Sequence, residues 1–263
     1  MQRLLAPDGC PWDREQTFVT LEKYALEEAC EVIDAIEALG EDAAHSQGPA
    51  KKLQPDDRAV NDLREELGDL LLQVVFQSEL ARTRGWFGPD DVVAAICDKL
   101  ERRHPHVFGD AKVSGTDEVL ANWERLKAAE KKDRGTLGGM PKSLPALLYA
   151  FRLGEKAGNV GFDWRDDRGP REKIDEELRE LDEAGASTDK AALEHEVGDL
   201  LFSVVNYARK RGIDPEAALK KANGRFERRF GKVEKSVGSS GRGWKEHSLD
   251  ELDAYWDTAK SDE

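Results

Sequence analysis

The chain has 263 residues, 36% of them charged, and a net charge of −14. That acidity argues against the long basic surface of a duplex-DNA binder and leaves room for a small anionic ligand whose charge is offset by metal ions. No apolar run approaches the ~20 residues of a membrane span, and the opening MQRLLAPDGCPWDREQ lacks a signal-peptide core.

In chain order the sequence reads as two versions of one helical plan. PWDREQTFVTLEKYALEEACEVIDAI, from Pro11, opens the first. A soft stretch from Gly40, GEDAAHSQGPAKKLQPDD, reads as a mobile loop, and two more helical stretches follow: REELGDLLLQVVFQSELARTRG from Arg64 and PDDVVAAICDKLERRH from Pro89. The run KKDRGTLGGMPKSLP from Lys131, rich in Gly, Pro and charge, reads as a linker. Beyond it FDWRDDRGPREKIDEELRELDEA (from Phe162), EHEVGDLLFSVVNYARKRG (from Glu194) and PEAALKKANGRFERRF (from Pro215) answer the three stretches in turn. Trp12 falls on Trp164, Glu66 on Glu196 and Asp69 on Asp199, while Glu28 meets Glu177 after a small shift. A repeat this long is a duplicated domain, not a solenoid. Leu178, Leu181, Val197, Leu200, Leu201, Val204 and Val205 recur at helical spacing, and strand signals are weak throughout. The expected fold is all-α, with a first domain over 1–130, a linker over 131–145 and a second domain over 146–263. Cys10, Cys30 and Cys97 are an odd set without a C-x-x-C pair, which points to reduced thiols in the cytosol.

The acidic residues carry the chemistry. Glu177 and Glu180 share one helix face, and no lysine stands four residues after either. On the next helix Glu196 and Asp199 share a face, followed at the same spacing by Ser203, Asn206 and Lys210. Four carboxylates on neighbouring helices repel one another unless a cation sits among them. Hard oxygen ligands without Cys or His suit Mg²⁺ or Mn²⁺. A lone E-x-x-E is more often a solvated face, but the pattern returns at Glu28, Glu31, Glu66 and Asp69, which form a second, weaker candidate site. Gly68 and Gly198 interrupt good helices at a cost of about 1 kcal/mol each relative to Ala, which fits a close approach by a helix or ligand.

Lys221, Arg225 and Arg229 stand four apart with Asn223 near their face, cations of the kind that metal-bridged phosphate oxygens need. The plainer reading is a solvated face paired with Glu216 and Glu227. Phe226 and Phe230 read as core. The first half departs here: Ala95 stands opposite Lys221, Cys97 opposite Asn223 and Phe76 opposite Asn206, although Lys99 and Arg103 still match Arg225 and Arg229. Catalysis is therefore expected in the second half, with the first a weak binding site or a dimerisation scaffold.

The pattern E-E-x-x-E, spacer, E-x-x-D, with GCPWDREQTF, KLERRHPHVFGD, NVGFDW and KANGRFERRF, resembles the MazG nucleotide pyrophosphohydrolases across nearly the whole chain. The resemblance implies an all-α fold related to the all-α dUTP pyrophosphatases and a cytoplasmic homodimer. It also implies Mg²⁺-dependent hydrolysis of nucleoside triphosphates, with broad base tolerance, to the monophosphate and pyrophosphate. Carried to matching positions, Glu177, Glu180, Glu196 and Asp199 would hold Mg²⁺. Arg225 and Arg229 would face the triphosphate, and Lys127 and Trp256 would lie near the nucleotide. With Lys221, Asn223 and Asn206 these complete the substrate-binding candidates. The proton of the attacking water would pass to Glu176 or to a metal-bound carboxylate. Many family members carry Lys where this chain has Arg225, and a planar fork differs from a point donor. Two rival readings are a di-iron bundle, for which Glu101-x-x-His104 is the sole candidate, and a non-catalytic helical module binding nucleotide or a protein partner. No membrane or nucleic-acid partner is expected.

Overall fold

A computed structural model describes residues 1–40, 57–116, 118, 119, 122, 123, 125, 126 and 135–261. Most of the stretch expected to be a mobile loop (41–56), Lys127, and the first part of the expected linker (131–134) lie outside the described residues. The chain divides into two compact units, Met1–Glu130 and Lys131–Glu263. The first holds the helices α1 (Phe18–Ala38), α2 (Arg58–Thr83) and α3 (Pro89–Arg103). The second holds α4 (Ala146–Gly158), α5 (Arg168–Gly185), α6 (Lys190–Lys210), α7 (Pro215–Ser239) and α8 (Leu249–Ser261). Among the described residues there is no strand, and the fold is all-α.

Local chemistry sets the helix ends. Thr17 caps α1: its Oγ1 accepts from the Thr20 amide at 3.2 Å, and its own amide donates to Thr20 Oγ1 at 2.8 Å. Asp189 accepts from the amides of Ala191 and Ala192 at the start of α6. Asp214 accepts from Ala217 N at the start of α7, where Pro215 fills a position that needs no donor. Gly85 and Gly212, just past α2 and α6, have φ of 71° and 68°. Glycine adopts this left-handed stop without steric penalty, and the two occupy equivalent places in the repeat.

Each unit centres on a helical hairpin, α1 against α2 in the first and α5 against α6 in the second. In the first unit α3 leans on α2; in the second α4 packs on α6 and α7, and α8 on α7. Leu21, Phe76 and Leu80 bury together with Met1, Leu5, Phe18 and Tyr24 around them. Side chains of that size contribute about 1.5–3 kcal/mol each when fully buried. Val233, Val237 and Ala259 form the corresponding cluster of the second unit, flanked by Leu252, Tyr255 and Trp256. Both hairpins leave an apolar stripe in solvent, with Leu67 and Leu71 at 49% and 61% exposure and Val197, Leu201 and Val204 at 43%, 52% and 44%. Gly68 and Gly198 lie beside these stripes, and a Cβ at either would meet nothing within 4 Å. Among the described residues, then, nothing approaches the two mid-helix glycines.

Candidate active site

The α5–α6 hairpin brings the second acidic set together. Oxygens of Glu177, Glu196 and Asp199 lie within 4.8 Å of one another. Glu177 is 2% exposed. Its Oε1 is 2.7 Å from Lys173 Nζ, and its Oε2 is buried with no hydrogen-bond partner. Asp199 Oδ2 is 3.2 Å from His195 Nε2. Glu180 stands at the edge of the group. Burial, and then the charge of Glu177, push its carboxyl above the ordinary carboxylate range, with Lys173 opposing. Arg225 and Arg229 are not among the charges that bear most on Glu180, which all belong to α5 and α6.

The first unit repeats the arrangement with a different lining. Glu28, Glu31 and Glu66 present oxygens within 4.8 Å of one another. Burial raises the Glu28 carboxyl first, with Asp69 and Glu31 adding to it. Glu66 is raised by desolvation and by Glu31 and Asp69. Gln73 Nε2 donates to Glu28 Oε1 at 3.5 Å, while Gln73 Oε1 is buried and unpartnered. Both clusters offer only oxygen donors to a shared point, and the second includes a buried oxygen with nothing to bind. That donor set fits Mg²⁺ or Mn²⁺.

The other expected site residues have different surroundings. Asn206 is 2% exposed and turned into the protein. Its Nδ2 donates to the Phe202 carbonyl, and its Oδ1 accepts from Arg209 Nε and Nη2. It faces α4, where a Cβ on Gly154 would come within 2.7 Å of Asn206 Oδ1. Lys221, Asn223 and Arg225 lie exposed on α7, and Arg229 is half-buried. Lys127 lies outside the described residues. Trp256 packs on the Val233 cluster and meets Phe226 with ring centroids 5.1 Å apart.

Phe226 and Phe230, expected in the core, are 56% and 38% exposed. They stack at 5.8 Å, and Phe230 stacks on Trp244 at 5.3 Å, so a ladder of rings runs along α7 beside Arg225 and Arg229. They share a helix face with Val233 and Val237, but α8 buries the valine end of that face and leaves the phenylalanine end partly open, with Phe226 at its border against Trp256.

Sequence reasoning missed two groups. Lys173 precedes Glu177 by four residues, a helical pairing that the sequence displays on the N-terminal side of the acidic run. Asp163 accepts from Arg209 Nη1 at 3.0 Å, Arg209 Nη2 at 2.6 Å and Lys210 Nζ at 3.1 Å, tying the turn after α4 to the end of α6. This contact spans 46 residues, and no local spacing announces it.

Comparison with known proteins agrees with this layout. Residues 16–108 match the model of the MazG nucleotide pyrophosphohydrolase domain, and residues 162–226 match that of phosphoribosyl-ATP pyrophosphohydrolase. The chain is 45% identical to the nucleoside triphosphate pyrophosphohydrolase of Escherichia coli (strain K12), over 100% of this chain and 95% of that protein. It is 43% identical to the nucleoside triphosphate pyrophosphohydrolase/pyrophosphatase MazG of Thermotoga maritima, over 99% of this chain and 92% of that one. Protein YabN of Bacillus subtilis is 40% identical and matches the whole chain with 50% of its own length. The chain belongs to the MazG family of nucleoside triphosphate pyrophosphohydrolases.

Proposed function

We propose that this enzyme hydrolyses ribo- and deoxyribonucleoside triphosphates to the monophosphate and pyrophosphate at the acidic cluster of the second unit, in a Mg²⁺-dependent reaction. The observation that carries the reading is the buried Glu177, whose Oε2 has no hydrogen-bond partner and whose carboxylate gathers with those of Glu196 and Asp199. An isolated buried carboxylate oxygen is costly unless something binds it. Glu177, Glu196, Asp199 and, at the edge, Glu180 would hold the cation. When bound, Mg²⁺ offsets the charge of the triphosphate and acidifies a water for attack. Arg225 and Arg229 on α7 supply guanidinium donors for the leaving pyrophosphate. The aromatic ladder beside them offers faces on which any base stacks, since every base has a π-face. This supports broad base tolerance and a role in clearing the nucleotide pool of unwanted triphosphates.

The uncovered stripes support a homodimer. Val197, Leu201 and Val204 on α6 and Leu67 and Leu71 on α2 are apolar, exposed and bordered by a glycine that admits close helix approach. Cys10, Cys30 and Cys97 are free thiols, in keeping with the cytosol, and no described helix is long and apolar enough to cross a membrane.

The test is Mg²⁺-dependent pyrophosphate release from the eight common nucleoside triphosphates, comparing wild type with Glu196→Gln. Turnover by wild type and its loss in the variant support the reading. If wild type released no pyrophosphate from any nucleotide, the reading would fail and a binding module would replace it.

A further inference from the structure

A cation on α5 itself touches the second acidic cluster. Lys173, one turn before Glu177 on α5, places its Nζ 2.7 Å from Glu177 Oε1 and 3.0 Å from Glu176 Oε1. Its side chain is 38% exposed, and that of Glu177 is 3% exposed. A partly solvated ammonium thus reaches down to a buried carboxylate and takes one of its two oxygens. The other oxygen has no partner and belongs to the carboxylate that gathers with Glu196 and Asp199. A charge-assisted contact of this kind fixes the orientation of the carboxylate it binds. The first unit is built otherwise. Tyr24 stands four residues before Glu28, and the contact to Glu28 Oε1 comes instead from the neutral amide of Gln73.

We infer that Lys173 is a positioning residue of the cation site. It stands in for the divalent ion in the metal-free protein, fixes which oxygen of Glu177 is offered, and competes with the incoming ion for the charge of the cluster. The inference rests on the metal-dependent reading above. A unit charge in contact with a ligand carboxylate weakens the attraction of the cluster for a second cation. Removing it should tighten metal binding while leaving the metal-free protein with uncompensated carboxylates. A salt bridge that merely braced α5 would behave differently: its loss would lower stability equally with and without the ion and leave metal affinity where it was.

The experiment uses the full chain carrying Glu66→Gln, which weakens the first unit's cluster, and compares it with the same chain carrying Lys173→Met, Lys173→Gln or Lys173→Arg. Mn²⁺ binding is followed by electron paramagnetic resonance, and melting is recorded without Mn²⁺ and at saturation. The expected result is Mn²⁺ affinity at least about threefold tighter in the Met and Gln variants. Their melting deficit should be large without metal and close at saturation, and the Arg variant should match the parent. Unchanged or weaker Mn²⁺ affinity in the neutral variants, or a melting deficit indifferent to Mn²⁺, overturns the inference. The Gln variant keeps this readout if the Met variant does not fold. If the parent binds no Mn²⁺ that Glu196→Gln abolishes, the site reading itself falls and Lys173 falls with it. If Glu196→Gln abolishes binding but Lys173→Met leaves it unchanged, only the role of Lys173 is lost.

Discussion

Replacing Asp163 with asparagine keeps the side chain's shape and removes its charge. Asp163 accepts two bonds from Arg209 and one from Lys210, and its side chain is 21% exposed beside an Arg209 that is 10% exposed. Arg209, first by hydrogen bonding and then by charge, brings the carboxyl down from 3.8 to about 2, with Lys210 adding to it. A carboxyl whose folded pKa is lowered stabilises the fold above its unfolded pKa and loses that contribution as pH falls through the folded value. A shift of nearly two pH units corresponds to about 2 kcal/mol after a modest discount for exposure. The variant should therefore lose about 2 kcal/mol at pH 7, and about half that deficit should remain at pH 3, midway through the window between the two values. Hydrogen exchange of α6 peptides under increasing urea reads this unit apart from the other. A deficit below about 0.5 kcal/mol at pH 7, or one equal at pH 7 and pH 3, would refute the assignment of this clamp as an ionic one.

Further outcomes follow from the same structure. If the proposed cation site is right, Glu196→Gln should cut Mg²⁺-dependent pyrophosphate release by about 100-fold or more, because it would remove one of the few carboxylates proposed to hold the ion; steady-state kinetics at saturating Mg²⁺ check this. Glu66→Gln should remove one class of Mn²⁺ binding per chain, counted by titration. Gly154→Ala would set a Cβ 2.6 Å from Arg209 Nε and 2.7 Å from Asn206 Oδ1. It should destabilise the second unit by about 1–3 kcal/mol, read as a shifted urea midpoint. Glu28 and Glu66 are held above the usual carboxyl range, so they keep their protons to higher pH than free carboxyls. Divalent binding to the first cluster should therefore release protons at mildly acid pH, visible as a buffer-dependent heat in calorimetry.

The sequence made the acidic clusters legible because their geometry is local. Glu177 with Glu180 and Glu196 with Asp199 are each set by helical spacing, and a short connection brings the helices together. The helix ends at Thr17, Asp189 and Asp214 were open to the same kind of reasoning. What spacing could not supply was the neighbour. Glu196, Asp199, Ser203, Asn206 and Lys210 form one stripe on paper, yet in the fold its start meets α5 and its end meets α4 and the Asp163 turn. Asn206 therefore spends its amide on Arg209 and the Phe202 carbonyl. Phe226 and Phe230 show the converse. Four-residue spacing marks a shared face, but whether that face is covered depends on α8, whose docking is fixed by Val233, Val237 and Ala259.

The hairpin that carries the second cluster also bears on the order in which the chain folds. Sixteen positions separate Glu180 from Glu196, against thirty-five between Glu31 and Glu66. Closing a loop about twice as long costs about 0.6 kcal/mol more in chain entropy. The α5–α6 hairpin thus reaches its native pairing with the smaller search, although it lies later in the chain. On refolding of the whole chain from denaturant, the carboxylates of the second cluster would then come into register ahead of the pairing of α1 with α2. Pulse-labelling during refolding should find α6 protected ahead of α2.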